Sequence, residues 1–343
     1  MRLLIITQKV DQNDDVLGFF HEWIKRFAER CERVEVICLY EGVHNLPENV
    51  RVHSLGKEIG VGRLGRILGL YKYLWELRAA YDSVFVHMNP EYVALAGWWW
   101  RLTGKRIVLW YTHREVDLKL RIAAFFTNVI ATAAPESMRL SSRKTKVVGH
   151  GVDVARFSSS PVHPISDAPK LVSVGRITPI KDVQTMIDAV LMMRAAGTPA
   201  TLTLIGAPAT SADKAYELAM HERAAHDPSA VIFYGSVPNT RLQELLPQFD
   251  ISLNACPTGG IDKAVLESMA AGLPVVAANE AFKPYFGDHA EQLLFEHGNA
   301  QDLANKIESL PKSDTSLQAY MREQVRRMGD VSVVIDKLVA LLG

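Results

Sequence analysis

Short apolar runs alternate with helix-length segments along the whole chain. Residues 18–30 carry apolar side chains at positions 19, 20, 23, 24 and 27, the spacing of an amphipathic helix. Runs rich in Leu, Ile and Val predict short buried strands on either side of it. In the first 150 residues these runs are residues 3–7, 34–39, 84–87, 107–111 and 129–132. Strands separated by helices indicate βαβ units and a parallel sheet.

The alternation starts again after residues 156–170, a segment rich in Ser and Pro that predicts an interdomain linker. Asp182 is the predicted N-cap of the first helix that follows, and Gly197 its C-terminal glycine. The predicted strands of this second series are residues 171–174, 201–205, 231–234, 251–254 and 274–277. The predicted helices are residues 182–196, 212–225, 240–246 and 263–271.

This order predicts an α/β fold with two Rossmann-like, doubly wound parallel-sheet domains that face a central cleft. We expect an N-terminal domain over residues 1–152 and a C-terminal domain over residues 153–320. Residues 321–343 are expected to form a helix that packs back towards the N-terminal domain. Ligands of such sheets bind at the carboxyl ends of the strands, so functional side chains are expected on the loops that follow strands.

Composition and charge narrow the class of protein. Of the 343 residues, 48% are hydrophobic and 22% charged, which excludes a disordered or fibrous chain. Lys+Arg and Asp+Glu are 38 each, so no net charge points to a nucleic-acid partner. The charge is unevenly divided, because residues 1–150 carry 22 basic against 16 acidic side chains and the rest of the chain carries the reverse. This division indicates different partners for the two halves, or ordinary solvated surface.

The cysteines and the first residues bear on location. The three cysteines show no CxxC spacing, which argues against a disulfide scaffold or a zinc cluster and favours a reducing cytoplasm. The chain begins with a strand-like segment and contains no stretch of 18 apolar residues. We therefore expect a cytoplasmic protein without a leader or a membrane span.

Two segments carry candidate chemistry. In the first, the strand over residues 171–174 runs into Gly175, and the loop then presents Arg176 and Lys181. Two cations on such a loop suit a pyrophosphate, although a solvated loop is the alternative. In the second, Gly259 and Gly260 precede a helix whose N-terminus can bind a phosphate. The next candidate is Glu267, which could accept hydrogen bonds from sugar hydroxyls or be an ordinary exposed helix carboxylate.

Together, the two segments resemble family 4 of the retaining glycosyltransferases (glycosyl transferases group 1), which have the GT-B fold. Arg176 and Lys181 match the family's Gly-Arg-x4-Lys segment, which binds the donor diphosphate. Glu267 with residues 268–276 matches the second half of the family's Glu-x7-Glu signature. Further matches are residues 150–153 with Phe157, residues 204–206 and residues 231–235. The resemblance implies that Glu267 holds the ribose and that the loop around Val237 meets the base through its main chain.

One position departs from the family. Gly259 stands eight residues before Glu267, where the family has a Glu that contacts the donor sugar. Asp262, or the backbone N–H groups of Gly260 and Ile261, could take over that contact. The identity of the sugar is therefore open.

Three residues of the N-terminal half are weaker candidates. Gly18 follows the polar loop 11–17, where the family has a glycine-containing loop against the donor and the acceptor, but the usual Gly-Gly pair is missing. His113 ends a predicted strand at the cleft side, where similar enzymes have a His near the reaction centre. A capping or structural His is the alternative for His113, and a structural role is favoured for His87, which also ends a strand.

The resemblance implies retaining transfer from a nucleoside diphosphate sugar to a hydroxyl group. It also implies that the domain over residues 1–152 binds the acceptor and the domain over residues 153–320 binds the nucleotide sugar. Arg176, Lys181 and the helix N-terminus at Gly260 would stabilise the charge on the departing diphosphate. The donor loops contain no DxD-type acidic pair, so we expect no metal and no cofactor beyond the donor. With Gly259 at the usual Glu position, same-face attack is favoured over a double displacement through a carboxylate.

The acceptor is expected to be a glycan or a lipid-linked glycan, in cell-envelope or exopolysaccharide synthesis. Residues 62–74, 98–101 and 118–126 mix cations with Leu and Trp, a pattern typical of peripheral contact with an anionic membrane at the inner face of the cell. Core packing of these apolar residues is the alternative. Two other functions stay open: a catalytically silent nucleotide-sugar-binding protein, and a GT-B nucleotide-sugar epimerase. A phosphorylase is disfavoured, because the sequence shows no Lys in the context that binds the phosphorylase cofactor.

Overall fold

Parallel pairing joins the strands of both sheets in the computed structural model, which describes residues 1–14, 17–157 and 161–343. The strands are β1 (Arg2–Val10), β2 (Arg33–Glu41), β3 (Val50–Ser54), β4 (Ser83–His87), β5 (Arg106–Trp110), β6 (Val129–Thr132), β7 (Thr145–Val147), β8 (Lys170–Val174), β9 (Thr201–Ile205), β10 (Val231–Gly235), β11 (Ile251–Asn254) and β12 (Val275–Ala277).

Helices separate most of these strands, as parallel pairing requires. They are α1 (Gly18–Ala28), α2 (Arg63–Glu76), α3 (Pro90–Leu102), α4 (Leu118–Phe126), α5 (Val183–Ala195), α6 (Ser211–Ala224), α7 (Leu242–Leu245), α8 (Lys263–Ala270), α9 (Lys283–Phe286), α10 (Ala290–Leu293), α11 (Ala300–Glu308), α12 (Ser316–Met328) and α13 (Val331–Leu342). No helix within the described residues is both long and apolar enough to cross a membrane.

Each sheet reverses its strand order once. The first has the order β3-β2-β1-β4-β5-β6-β7 and reverses between β1 and β4. The second has the order β10-β9-β8-β11-β12 and reverses between β8 and β11. Such a reversal is the topological switch point of a doubly wound sheet, where the loops on either side diverge and leave room for a ligand. The predicted class, two doubly wound parallel-sheet domains, is confirmed.

The core of the first sheet follows from its central strands. Strands β1, β4 and β5 are apolar and buried along most of their length, as strands covered on both faces are. Helices α2, α3 and α4 pack on one face through buried side chains such as Leu70, Trp100 and Ala123. Helix α13 packs against α1, β4 and β5.

The chain divides into two units at different residues from those predicted. The first unit comprises Met1–Gly151 and Val331–Gly343, and the second Val152–Asp330. Helix α12 stays with the second unit, because the Arg322 guanidinium donates to the carbonyls of Ala270 and Ala271, 2.9 Å away in the second case. Only the segment from residue 331 onward, rather than from 321, therefore belongs with the first unit.

The predicted linker is for the most part attached to the second unit. Its residues 158–160 lie outside the described residues, and residues 154–157 form a 3₁₀ turn. Beyond the gap, Ser166 Oγ donates to Asp250 Oδ2 at 2.8 Å, and Ile165 is buried. These contacts show that the Ser- and Pro-rich composition marks irregular backbone rather than a free connection.

Candidate functional site

The switch point of the second sheet lies between β8 and β11, and the loops after these two strands meet there. Lys181, from the loop after β8, forms an ion pair with Asp262, from the loop after β11. Both side chains are about four-fifths buried. Two segments that are 81 residues apart in the sequence are therefore joined at the position where ligands of doubly wound sheets bind.

Glycines shape the loop after β8. Gly175 N donates to the Ile205 carbonyl, and Gly206 N donates to the Gly235 carbonyl, both at 2.9 Å. Gly175 has a φ of +155°, and a Cβ there would lie 3.2 Å from Lys181 Cε. A glycine at this position therefore lets the Lys181 side chain cross directly over the end of β8.

The backbone next to Lys181 is strained. Lys181 ends a 3₁₀ turn, and Asp182 follows it with a φ of +44°, which is uncommon for a residue other than glycine. The Asp182 carboxylate accepts a hydrogen bond from Thr185 Oγ1 at 2.7 Å and caps α5, as predicted. Strain of this kind clusters at ligand-binding loops.

Asp262 turns its carboxylate towards Lys181. It is the N-cap residue of α8, yet its side chain makes no capping hydrogen bond. Its Oδ2 accepts instead from Lys181 and from Asn254 Nδ2, the latter at 3.1 Å. Burial opposes both charges, but their mutual attraction outweighs it, so the pKa of Lys181 is raised and the pKa of Asp262 is lowered. Both groups are charged at neutral pH.

A buried amide fixes the glycine loop before α8. Asn279 Oδ1 accepts from Gly259 N at 3.2 Å, and Asn279 Nδ2 donates to the Gly260 carbonyl at 2.9 Å. Gly260 is exposed beside this anchor, whereas the Ile261 side chain is buried. Ile261 can therefore reach a ligand only through its backbone.

Glu267 is buried, with 4% of the residue exposed, so it is not the exposed helix carboxylate that the sequence left as an alternative. Its Oε1 accepts from Asn239 Nδ2 at 3.0 Å and lies 3.8 Å from Lys263 Nζ. Burial lowers the pKa of Lys263, and the charge of Glu267 offsets part of that effect. The i,i+4 spacing of Lys263 and Glu267 on the predicted helix could have indicated their contact, whereas Asn239 has no sequence signal of this kind.

The remaining predicted residues of the second unit lie in exposed or half-exposed positions. Arg176 is exposed, and no hydrogen bond or ion pair of its side chain occurs within the described part of the chain. Val237 is half-buried in the loop that follows β10. Arg176 can therefore turn towards a ligand without breaking a contact of the kind that holds Lys181.

The three candidates of the first unit differ in exposure. His113 is exposed in the loop after β5, and its Nδ1 accepts from Glu115 N at 3.2 Å. His87 is only 2% exposed and stacks on Phe20 with a centroid distance of 3.9 Å. Burial, with a smaller effect of His150, lowers the pKa of His87 to about 3, so this ring is neutral and belongs to the core.

Gly18 is the first residue of α1, and a Cβ there would lie 3.0 Å from the Gln12 carbonyl oxygen. The tight packing of the preceding loop is therefore sufficient reason for a glycine at this position. Residues 15 and 16 of that loop lie outside the described residues.

The comparisons with known proteins converge on one family. Residues 168–313, which contain Gly175, Lys181, Asp262 and Glu267, match the model described as glycosyl transferases group 1. WcaL of Escherichia coli strain K12, whose assignment as a colanic acid biosynthesis glycosyltransferase is provisional, is 26% identical over 311 residues, 87% of this chain and 69% of WcaL. The chain is thus similar to the group 1 glycosyltransferases over residues 168–313 and to WcaL over most of its length.

Solved structures show that this chain has the GT-B fold. The crystal structure of HepE from Anabaena in complex with UDP has a TM-score of 0.76 at 18% identity, covering 100% of this chain and 99% of HepE. A structure of TarM from S. aureus has a TM-score of 0.75 at 10% identity, covering 100% of both chains. The fold implied by the two sequence segments is thus confirmed.

Proposed function

We propose that this chain is a family 4 glycosyltransferase that moves a sugar, with retention of configuration, from a nucleoside diphosphate sugar to a hydroxyl of a glycan or lipid-linked glycan. The observation that carries the proposal is the contact between Lys181 and Asp262 at the switch point of the second sheet. This contact places a charged ammonium, the exposed loop glycine Gly260 and the N-terminus of α8 in one neighbourhood.

The charges of this neighbourhood suit a departing diphosphate. Lys181 and Arg176 supply two cations, and the first N–H groups of α8 add a partial positive charge. Such groups stabilise negative charge as the bond to the anomeric carbon breaks. We propose that they act without a bound metal and that the departing phosphate assists attack from the same face.

The sugar contact needs a group other than a side chain at Gly259. The Asp262 carboxylate already binds Lys181 and Asn254. We therefore assign the sugar contact to the backbone N–H groups of Gly260 and Ile261, and to Asp262 the orientation of Lys181. His113 keeps its proposed place beside the donor sugar, because it is exposed in a loop that follows a strand.

The names of the relatives support the proposed pathway class. WcaL of E. coli and of Salmonella typhimurium are both assigned, provisionally, to colanic acid biosynthesis. Solved structures of HepE contain UDP, UDP together with glucose, or UDP-glucose. We propose that this chain likewise serves cell-envelope or exopolysaccharide synthesis in the cytoplasm.

The test is a thermal-shift panel of UDP, GDP, ADP and CDP, followed by turnover with sugars of whichever base binds. A ligand at 100 times its Kd adds about 2.7 kcal/mol of stability, which raises the Tm by roughly several degrees. We expect one base to stabilise the protein, activity to persist in EDTA, and the anomeric proton of the product to show the donor's configuration by NMR.

Three results would contradict the proposal in different ways. Binding without transfer or hydrolysis of the donor favours the catalytically silent protein. Isomerised nucleotide sugar in the absence of acceptor favours the epimerase. A product of inverted configuration rules out the retaining mechanism.

We further propose that the first unit contacts an anionic membrane through α2, α3 and α4. The three helices pack on one face of the sheet, so their outer sides share one surface. Exposed large apolar side chains lie along that surface, and Phe125, for example, is 77% exposed. We call this set the apolar patch: Leu64, Leu68, Trp75, Trp98, Leu102, Leu118, Ile122 and Phe125.

Charge around the apolar patch indicates which surface it fits. The sequences of the three helices contain six Lys or Arg and two Glu. The carboxylate of Glu91, one of the two Glu, lies 3.3 Å from the Arg63 guanidinium and 3.5 Å from the Lys119 ammonium. These ion pairs link the first turns of the three helices. Apolar side chains among cations bind anionic bilayers by insertion together with electrostatic attraction.

Replacing Leu118, Ile122 and Phe125 with Ser together should weaken vesicle binding by about tenfold or more, because three apolar side chains no longer insert. Flotation with phosphatidylcholine vesicles, with and without phosphatidylglycerol, measures the change. Leu218→Ser in the second unit, also at an exposed Leu, should leave binding unchanged. Equal flotation of the triple variant and the wild type, or wild-type binding that ignores salt and phosphatidylglycerol, would refute membrane contact.

A further inference from the structure

A chain of hydrogen bonds runs from Arg156 through Asn239 to Glu267, all within the second unit. Arg156 donates to Asn239 twice, to the side-chain Oδ1 at 2.8 Å and to the main-chain carbonyl at 2.9 Å. Asn239 Nδ2 then donates to Glu267 Oε1 at 3.0 Å. None of these three bonds belongs to the backbone of a helix or a strand.

These hydrogen bonds allow the side-chain amide of Asn239 only one orientation. Because Oδ1 accepts from a guanidinium, which can only donate, the amide nitrogen must face Glu267. The bond from Arg156 to the Asn239 carbonyl also holds the main chain of the 3₁₀ turn Asn239–Arg241, which follows the loop that contains Val237. The proposed base-binding loop and the proposed ribose-binding carboxylate are thereby fixed to each other.

The two carboxylate oxygens of Glu267 differ in their contacts. Both Asn239 Nδ2 and Lys263 Nζ lie nearest Oε1, at 3.0 and 3.8 Å. Within the described residues, the other oxygen, Oε2, is the one left to accept from a ligand. A carboxylate that is held at one oxygen presents its other oxygen in a defined direction. Hydrogen bonds from the two neighbouring hydroxyls of a ribose require such a defined direction.

We propose that Asn239, held by Arg156, is a positioning residue that aims Glu267 at the ribose hydroxyls of the donor nucleotide. Because Asn239 joins Glu267 to the proposed base-binding loop, the preference for ribose over 2′-deoxyribose depends on the position of that loop. This inference rests on the proposed function, because it takes Glu267 as the ribose-binding carboxylate.

The decisive variant is Asn239→Asp. The substituted carboxylate still accepts from Arg156, so the turn stays attached to Arg156. It can no longer donate to Glu267, and it places a like charge beside it. We expect the wild type to bind ribonucleoside diphosphates at least about tenfold more tightly than their 2′-deoxy forms, and the variant to reduce this ratio to about threefold or less.

Calorimetric Kd values for UDP, GDP, ADP and CDP, each paired with its 2′-deoxy form, provide the measurement. Arg241→Ala is the matched control, because Arg241 lies in the same turn and pairs only with exposed Glu244 in the described structure. It should keep the wild-type ratio. A role for Asn239 in stability alone would lower the Tm and leave the ratio unchanged.

The Glu267→Gln variant tests the ribose site itself, separately from the positioning role of Asn239. If Glu267→Gln lowers the ribose preference and Asn239→Asp does not, the positioning role is wrong and the proposed function stands. If Glu267→Gln leaves the preference unchanged, or if none of the four nucleotides binds, the ribose site itself is wrong and the inference falls with it.

Discussion

Lys181→Ala should abolish most of the protein's affinity for nucleoside diphosphates. Truncating one member of a partly buried, hydrogen-bonded charge pair costs binding roughly 2–5 kcal/mol, which is about 30-fold or more in Kd. Here the loss has two parts, since the ammonium disappears and Asp262 is left as an uncompensated carboxylate in the same place. Calorimetric titration with the nucleotide that stabilises the wild type measures the change.

The double variant Lys181→Ala with Asp262→Asn distinguishes binding from folding. The single variant should also be less stable by about 1–3 kcal/mol, because it leaves a largely buried charge unpaired. Neutralising Asp262 should recover most of that stability and little of the affinity, since the cation is still absent. Affinity that returns together with stability would mean that Lys181 acts only through the fold.

Arg176→Ala provides a further comparison. Arg176 is exposed, so its removal leaves no buried charge behind. We expect it to weaken nucleotide binding without lowering the Tm. The difference between the two variants in lost nucleotide affinity then compares a preorganised phosphate contact, Lys181, with a mobile one, Arg176.

Much of this architecture could be predicted because parallel strands buried on both faces are continuous apolar runs. Strands β9 and β11 coincide with the predicted residues 201–205 and 251–254. Strands β3 and β7 were not predicted, because they lie at the two edges of the first sheet, and edge strands need fewer apolar residues. The helix predicted over residues 240–246 is broken into 3₁₀ turns around α7, where Pro247 removes a backbone donor.

The candidate site was predictable only where residues are close in sequence. Gly175 and Lys181 stand at a fixed spacing on a strand-to-helix loop, and Glu267 stands at a fixed place in α8, so a resemblance could name them. The partnership of Lys181 with Asp262 depends on the strand order, which brings together loops 81 residues apart. For His87 the structural role that the sequence favoured agrees with the structure, because the ring is buried and stacks on Phe20.

Gly206→Ala is the second substitution from which we expect a large effect. Gly206 directly follows β9, the strand next to β8, with a φ of +152°, and a Cβ there would lie 1.9 Å from the Gly175 carbonyl oxygen and 2.7 Å from its carbon. Both atoms belong to the backbone, so the clash cannot be relieved by turning a side chain. The strand ends must move apart, at a cost of about 3 kcal/mol or more.

Gly197→Ala shows how much of this cost is the steric contact. Gly197 also has a positive φ, +97°, but nothing lies within 4 Å of a Cβ built there, so its substitution should cost only about 1–2 kcal/mol. Calorimetric unfolding should therefore place Gly206→Ala well below Gly197→Ala in Tm. Because the displaced carbonyl belongs to Gly175, Gly206→Ala should also lose nucleotide binding at temperatures where it is still folded, whereas Gly197→Ala should keep it. Equal nucleotide affinity in the two variants would show that Lys181 does not depend on the end of β8 for its position.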